Sequence, residues 1–162
     1  MATQWAEIAK RLHFQKEDIQ YNRKGKLGPN QKTYLRSGGR NMAYIMLGFC
    51  IIMTPIFWFA SNGIWGFLML EGAVIGFAAL FSFINMKIMK DDIEAGEVAY
   101  IIGKPIMQTK LKGGKIRKVF KIGDREFKAV WLHKMLNEQT QYRAYFAPKS
   151  GVLLALEPIK HE

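Results

Sequence analysis

The sequence predicts a membrane α-helical hairpin of two transmembrane helices followed by a small all-β domain, an OB-like barrel with an SH3-like barrel as the alternative. Three observations lead there. Residues 42–86 contain no Lys or Arg and only one charge, Glu71. That stretch falls into two apolar runs, nineteen residues at 42–60 and twenty-two at 65–86, and a helix needs roughly 20 to cross a hydrocarbon layer ~30 Å thick. Beyond residue 96 apolar and polar residues alternate between Gly and Pro punctuation, as short strands require.

Charge sorts the chain the same way. A net charge of +11 and a mean hydropathy of −0.05 over 162 residues resemble a soluble basic protein. The excess is divided, however. Residues 1–41 hold nine Lys/Arg against three Asp/Glu, residues 42–86 hold Glu71 alone, and residues 87–162 hold fifteen against nine. The expected parts are a basic N-terminal segment with short helices at 1–41, the hairpin at 42–90, a linker at 91–95 and the β domain at 96–162.

In the N-terminal segment, Trp5, Ile8 and Leu12 recur at helical spacing, with Thr3 placed to cap the helix. This amphipathic face fits either the lipid headgroup layer or the chain's own β domain. Residues 22–30 are turn chemistry with clustered positive charge. Residues 31–35 begin a second short helix that Ser37-Gly38-Gly39 is expected to break.

Residues 61–64 are the only punctuation between the two apolar runs, with Asn62-Gly63 favouring a tight reversal. A helical hairpin buried in a soluble core is the competing reading. It is disfavoured because so short a chain has too little other apolar sequence to cover both helices. The first apolar run follows some forty polar residues and lacks a small-residue cleavage pattern, so no cleavable signal peptide is expected.

Arg36, Arg40, Lys87 and Lys90 flank the outer ends of the two runs, and the connecting loop has no basic residue. The positive-inside bias then places both termini in the cytoplasm, in a multi-pass protein of the cell (inner) membrane. Trp58 and Trp65 suit the far interface and Tyr44 the near one. Cys50 is the only cysteine, which rules out an internal disulfide.

Glu71 lies about two turns inside the second run, where an unpartnered charge costs on the order of 2.5–3.5 kcal/mol at the bilayer centre. Thr54 and Glu71 are equidistant from the Asn62-Gly63 reversal and should lie level. At 100° per residue Glu71, Ala78, Ser82 and Asn85 form one stripe, and Cys50, Thr54 and Ser61 share a face of the first helix. An intramembrane polar contact of Glu71, Thr54, Ser82 and Asn85 is expected, within the hairpin or with a partner. Snorkelling towards the far surface and service as a proton or cation site are the other readings of Glu71.

Gly72 and Gly76 give a GxxxG spacing for helix packing. Pro55 should kink the first span. Residues 71–81 (EGAVIGFAALF) are similar to the carboxylate-bearing helix of rotary-ATPase ring subunits. Such rings need a glycine-rich first helix, whereas this first span offers Gly48 amid Phe, Ile and Met.

In the β domain, a long strand over 97–111 should bend at Gly103-Lys104-Pro105 and turn at Gly113-Gly114 into a strand at 115–122. Gly123-Asp124 turns that strand into another at 125–130. A short helical turn at 131–137 precedes strands at 141–147 and 152–157. Five strands with a helix between the third and fourth is the OB order. Tyr100, Phe120, Phe127, Trp131, Leu132, Leu136, Tyr142, Tyr145, Leu154 and Leu156 are the expected core. A membrane hairpin followed by an OB-like domain is similar in layout to NfeD-type membrane proteins, a likeness in the order of parts that carries no site residue with it.

A basic surface is expected from Lys110, Lys112, Lys115, Arg117, Lys118, Lys121, Arg125 and Lys128. Nucleic-acid binding would need exposed aromatic platforms beside this charge. The alternation turns Phe120 and Phe127 inward, so lipid headgroups or an acidic partner fit better. His13, His133 and His161 are scattered, and Asp91, Asp92 and Glu94 lack a glycine-centred ligand loop, so no metal, cofactor or catalytic residue is expected. P-loop, dinucleotide and nucleophile-elbow motifs are missing from the sequence.

The expected function is a non-catalytic accessory, scaffold or adaptor component of a membrane complex. Its partners would be the lipid bilayer and another membrane subunit or a second copy. A membrane-tethered ligand or nucleic-acid binding module is the runner-up, and an oligomeric proton- or ion-conducting subunit using Glu71 comes third.

Overall fold

The computed structural model describes residues 2–61, 63–112 and 115–159, without the side chains at 2–4, 39, 42, 112 and 115–117. The expected turns at Asn62 and at Gly113-Gly114, and His161, therefore lie outside the described residues. The chain divides into two compact units, one made of Met1–Lys32 with Ala95–Glu162, the other of Thr33–Glu94.

The first unit begins with α1 (Ala2–Leu12) and α2 (Lys16–Arg23). Helix α1 starts one residue ahead of Thr3, so Thr3 lies in its first turn and not at the cap. Ile8 and Leu12 are buried and the Trp5 ring lies 6.1 Å from that of Tyr142. The amphipathic face of α1 is thus covered by the β domain rather than left for lipid. Helix α2 is capped by the Asp18 carboxylate, which accepts from the backbone N–H of Gln15 at 2.9 Å.

Asp18 also accepts from Asn30 Nδ2 at 3.1 Å. A Cβ on Gly28 would fall 1.9 Å from Asp18 Oδ1, so only glycine lets the turn close over this carboxylate. Beside it, the Gln31 side-chain oxygen accepts from the Gly28 N–H at 3.0 Å. With its amide oriented to satisfy both groups, Asn22 exchanges two hydrogen bonds of 2.8 Å with the Gln31 amide. Asp18, Asn22 and Gln31 are all buried.

Six strands follow among the described residues: β1 (Ala99–Gly103), β2 (Pro105–Lys112), β3 (Lys115–Ile122), β4 (Arg125–Phe127), β5 (Tyr142–Phe146) and β6 (Leu153–Pro158). A 3-10 turn at Val130–Lys134 separates β4 from β5. The strands form two three-stranded antiparallel sheets, in the orders β1-β5-β6 and β2-β3-β4. The expected closed barrel is therefore corrected to two sheets, since no ladder joins β4 to β6 among the described residues. The bend at Lys104 sends β1 into one sheet and β2 into the other. Gly103 beside this bend packs directly on the β3–β4 turn, since a Cβ on it would fall 2.3 Å from the Gly123 nitrogen.

Phe120, Ile122, Leu132, Ala144, Leu154 and Leu156 fill the core at 1% exposure or less. Tyr100, expected in that core, is 60% exposed. It pairs with Tyr145 on β5, but β1 is an edge strand and its ring faces outward, where the Arg143 guanidinium covers it at 5.4 Å. Trp131 is half-buried, with Arg11 over its ring at 5.1 Å.

The second unit is made from α3 (Pro29–Ala60) and α4 (Ile64–Ala95), 32 residues each, except that the first turn of α3 lies in the first unit and Ala95 closes α4 there. At 1.5 Å per residue each helix is about 48 Å long, well beyond a ~30 Å hydrocarbon layer. Helix α3 runs unbroken through Ser37-Gly38-Gly39 and through Pro55. A glycine inside a helix costs only about 1 kcal/mol, too little to end a helix that continues as a long apolar span. Residues 91–95 are the last turns of α4 and not a linker, with Lys90 and Glu94 paired at 3.4 Å one turn apart.

Candidate functional site

The facing sides of α3 and α4 mix small and polar residues with Met46, Leu47, Ile51 and Ile75. Cys50 on α3 and Ala78 and Ser82 on α4 are buried at 8%, 7% and 7% exposure. Together with Thr54 and Glu71 they line a cleft of about 430 Å³. The structure brings Thr54 and Glu71 together, with Oγ1 2.8 Å from Oε1. Ser82 lies further along the same cleft. Asn85 does not join this contact, because its Nδ2 donates to the Phe81 carbonyl of its own helix at 2.8 Å.

The Thr54 hydroxyl has one proton and two close oxygens, since the Cys50 carbonyl also lies 3.0 Å from Oγ1. The hydroxyl is thus shared between the Glu71 carboxyl of the facing helix and a carbonyl of its own helix. Glu71 Oε2 is buried and has no hydrogen-bond partner among the described residues.

Gly72 and Gly76 are not part of the seam. A Cβ at either position would meet nothing within 4 Å. They face away from α3, alongside exposed Phe83 and Leu80. Near the connecting loop the hairpin is closed by Trp58 and Phe67, whose rings meet edge to face at 5.3 Å and 77°.

On the β unit, Lys110 and Lys121 converge on Glu126, Lys110 hydrogen-bonded to it and Lys121 at 3.8 Å. The hydrogen bond from Lys110 holds the Glu126 carboxyl below the usual carboxylate range. Arg125 lies over the Phe146 ring at 3.7 Å. Lys118 and Lys128 are exposed, and the side chains of Lys112, Lys115 and Arg117 lie outside the description. Part of the expected basic surface is thus neutralised by Glu126. A signal for this was in the sequence, because a two-residue turn at Gly123-Asp124 sets Glu126 opposite Lys121.

Glu157 was not singled out by sequence reasoning. Its carboxylate on β6 is hydrogen-bonded by Arg23 of α2, accepts from the Tyr145 hydroxyl at 2.8 Å and lies 3.9 Å from Arg143. The Arg23 hydrogen bond, with help from Tyr145 and Arg143, holds Glu157 below the usual carboxylate range. Burial pushes the Tyr145 phenol up. Nothing in the local sequence joins residues 134 apart.

His133 lies 3.5 Å from Glu138, and among the described residues no three His, Cys, Asp or Glu side chains gather as a metal site. The chain matches no family model, no curated protein and no solved structure.

Proposed function

We propose that this chain is a non-catalytic scaffold or adaptor of a membrane complex. In this reading α3 and α4 cross the bilayer as a hairpin and both ends of the chain lie in the cytoplasm. The observation that carries it is exposure. Only 6% of the most apolar stretch of α3 and 11% of that of α4 is buried. Core helices of a soluble protein are covered, whereas these leave Ile52, Phe59, Met69 and Phe77 at 67%, 87%, 76% and 68% exposure. Lipid is the solvent that fits such faces.

The composition of the first unit supports the hairpin independently. Residues 1–32 and 95–162 fold together, so they must share one side of any membrane, and two crossings between them satisfy that. The positive charges at Arg36, Arg40, Lys87 and Lys90 select the cytoplasmic side. Inside the hairpin, Thr54 and Glu71 act as a polar clasp. A carboxyl already engaged within its own hairpin suits a fastening better than a conducting site.

The β unit reads as an open OB-like domain. The pairings β1-β5-β6 and β2-β3-β4, with a helical turn before β5, support this, and without a β4–β6 ladder among the described residues it stays open. Its exposed lysines suit headgroups or an acidic partner surface.

Two measurements on the full chain test the proposal. After alkaline carbonate washing it should stay with the membrane fraction, and in mild detergent it should co-purify with a stoichiometric membrane subunit or with a second copy. Release by carbonate, or a detergent monomer with no companion, would overturn it. Thr54→Val should lower hairpin stability by about 0.6 kcal/mol and at most about 2 kcal/mol, the range for interhelical hydrogen bonds in membranes.

A further inference from the structure

The helical unit has a second cavity, at the end of the hairpin away from the connecting loop. It measures about 680 Å³ and lies between α3 and α4. Its apolar walls come from Leu35, Met86, Met89 and Ile93, and its charged lining from Arg36, Arg40 and Lys90, with Glu94. Methionine walls are adaptable, and the volume lies within the range of small-molecule pockets.

The charges do not cancel. Lys90 is engaged by Glu94 at 3.4 Å. Arg36 and Arg40 are one helical turn apart, exposed, and without a carboxylate partner among the described residues. The cavity is therefore an apolar slot with two unneutralised guanidinium groups at one rim. Arg40 stands two residues before the stretch of 42–86 that has no Lys or Arg, and Met86 ends it, which is the depth at which phosphates meet acyl chains. Guanidinium groups bind phosphate oxygens in a bidentate fork.

We infer that this cavity binds one anionic phospholipid, its phosphate held by Arg36 and Arg40 and the start of an acyl chain laid against Met86 and Met89. This rests on the membrane reading above, and it adds a defined site with a headgroup preference. A zwitterionic lipid carries its own cation to the same rim and gains less there. Basic pockets between helices at the cytoplasmic surface are a recurrent way of holding anionic headgroups.

The test is native mass spectrometry of the full chain in mild detergent, titrated with phosphatidylglycerol or with phosphatidylcholine of identical acyl chains. One phosphatidylglycerol per chain should be retained in preference to phosphatidylcholine. The double variant Arg36→Gln with Arg40→Gln should bind it roughly 30-fold more weakly, which is about 2 kcal/mol for two basic side chains at an anionic surface. Lys16→Gln with Lys24→Gln, exposed charges of the first unit, should bind it like the parent.

Equal retention of the two lipids, or unchanged binding by the arginine variant, would overturn the inference. So would soluble glycerol phosphate binding as tightly as the lipid, which would mark a free-phosphate site. Carbonate washing separates the two levels of failure. A chain that stays in the membrane but does not discriminate between lipids overturns the lipid site alone, whereas a chain that washes off overturns the membrane reading and the site together.

Discussion

Glu157 shows how much one side chain organises in the β unit. It draws Arg23 from the N-terminal segment onto β6 and satisfies the hydroxyl of Tyr145, which has no solvent exposure. Hydrogen bonds to a charged group contribute about 1.5–3 kcal/mol, and a buried partner left alone costs more than the pair gains. Tyr145→Phe should therefore destabilise the unit by about 1.5–3 kcal/mol in thermal unfolding. The pH dependence has a definite sign. A carboxyl held below its ordinary value in the native state stabilises fully above that ordinary value, about 4.5. The contribution disappears as pH falls through the lowered native value. Glu157→Gln should flatten the acid limb of a melting-temperature profile, and a variant that kept the parent's full acid dependence would count against this role. Sequence could not place Glu157, since its partners are brought to it only by the tertiary fold. It could place Thr54 beside Glu71, because α3 ends at Ala60 and α4 begins at Ile64, and positions at similar distances from so short a link come level.

Among the elements, legibility followed the kind of residue buried. The apolar helices and the alternating strands were readable because each buries or exposes apolar residues with a fixed period. Helix α2 was not, because the residues it buries are Asp18 and Asn22. A helix that faces inward with polar groups has no apolar stripe to find, and only the Gln15–Asp18 capping box marks it. Tyr100 was misplaced for a related reason. Its alternation with Ile101 is regular, but period alone does not say which strand is an edge. The same gap separates a closed barrel from two sheets, since closure depends on whether β4 meets β6, and strand order is silent on that. For the hairpin, the structure separates two uses of small residues. Ala78 and Ser82 are buried in the seam, while Gly72 and Gly76 stand open. Gly72→Leu with Gly76→Leu should leave the melting temperature of the hairpin unchanged or slightly raised, because leucine is the better helix former by roughly 0.8–1 kcal/mol. Cross-linking in detergent should show any self-association weakened, since close approach of two backbones on that face is lost. A fall in monomer stability would mean that the glycines pack within the hairpin after all.

At the scale of the whole molecule, the chain order constrains topology more firmly than charge does. The first unit is assembled from both ends of the chain, with Leu27 N–H donating to the Gly96 carbonyl at 2.9 Å and Val98 N–H to the Gly25 carbonyl at 2.9 Å. A unit closed by such bonds cannot have its two halves on opposite faces of a bilayer, because a 2.9 Å hydrogen bond cannot reach across a hydrocarbon layer ~30 Å thick. In the proposed membrane reading, two spans return the chain to its starting side, whereas one span or three would split the unit. Single cysteines test this in a Cys50→Ala background. Glu17→Cys and Lys134→Cys are exposed positions in the two halves of the first unit, and Ile64→Cys is 53% exposed at the start of α4. A membrane-impermeant maleimide applied to inside-out vesicles should label positions 17 and 134 and leave position 64 unlabelled. Right-side-out vesicles should give the reverse. Labelling of 17 and 134 from opposite sides would separate halves that the hydrogen bonds join, and labelling of all three from one side would mean that α3 and α4 do not cross.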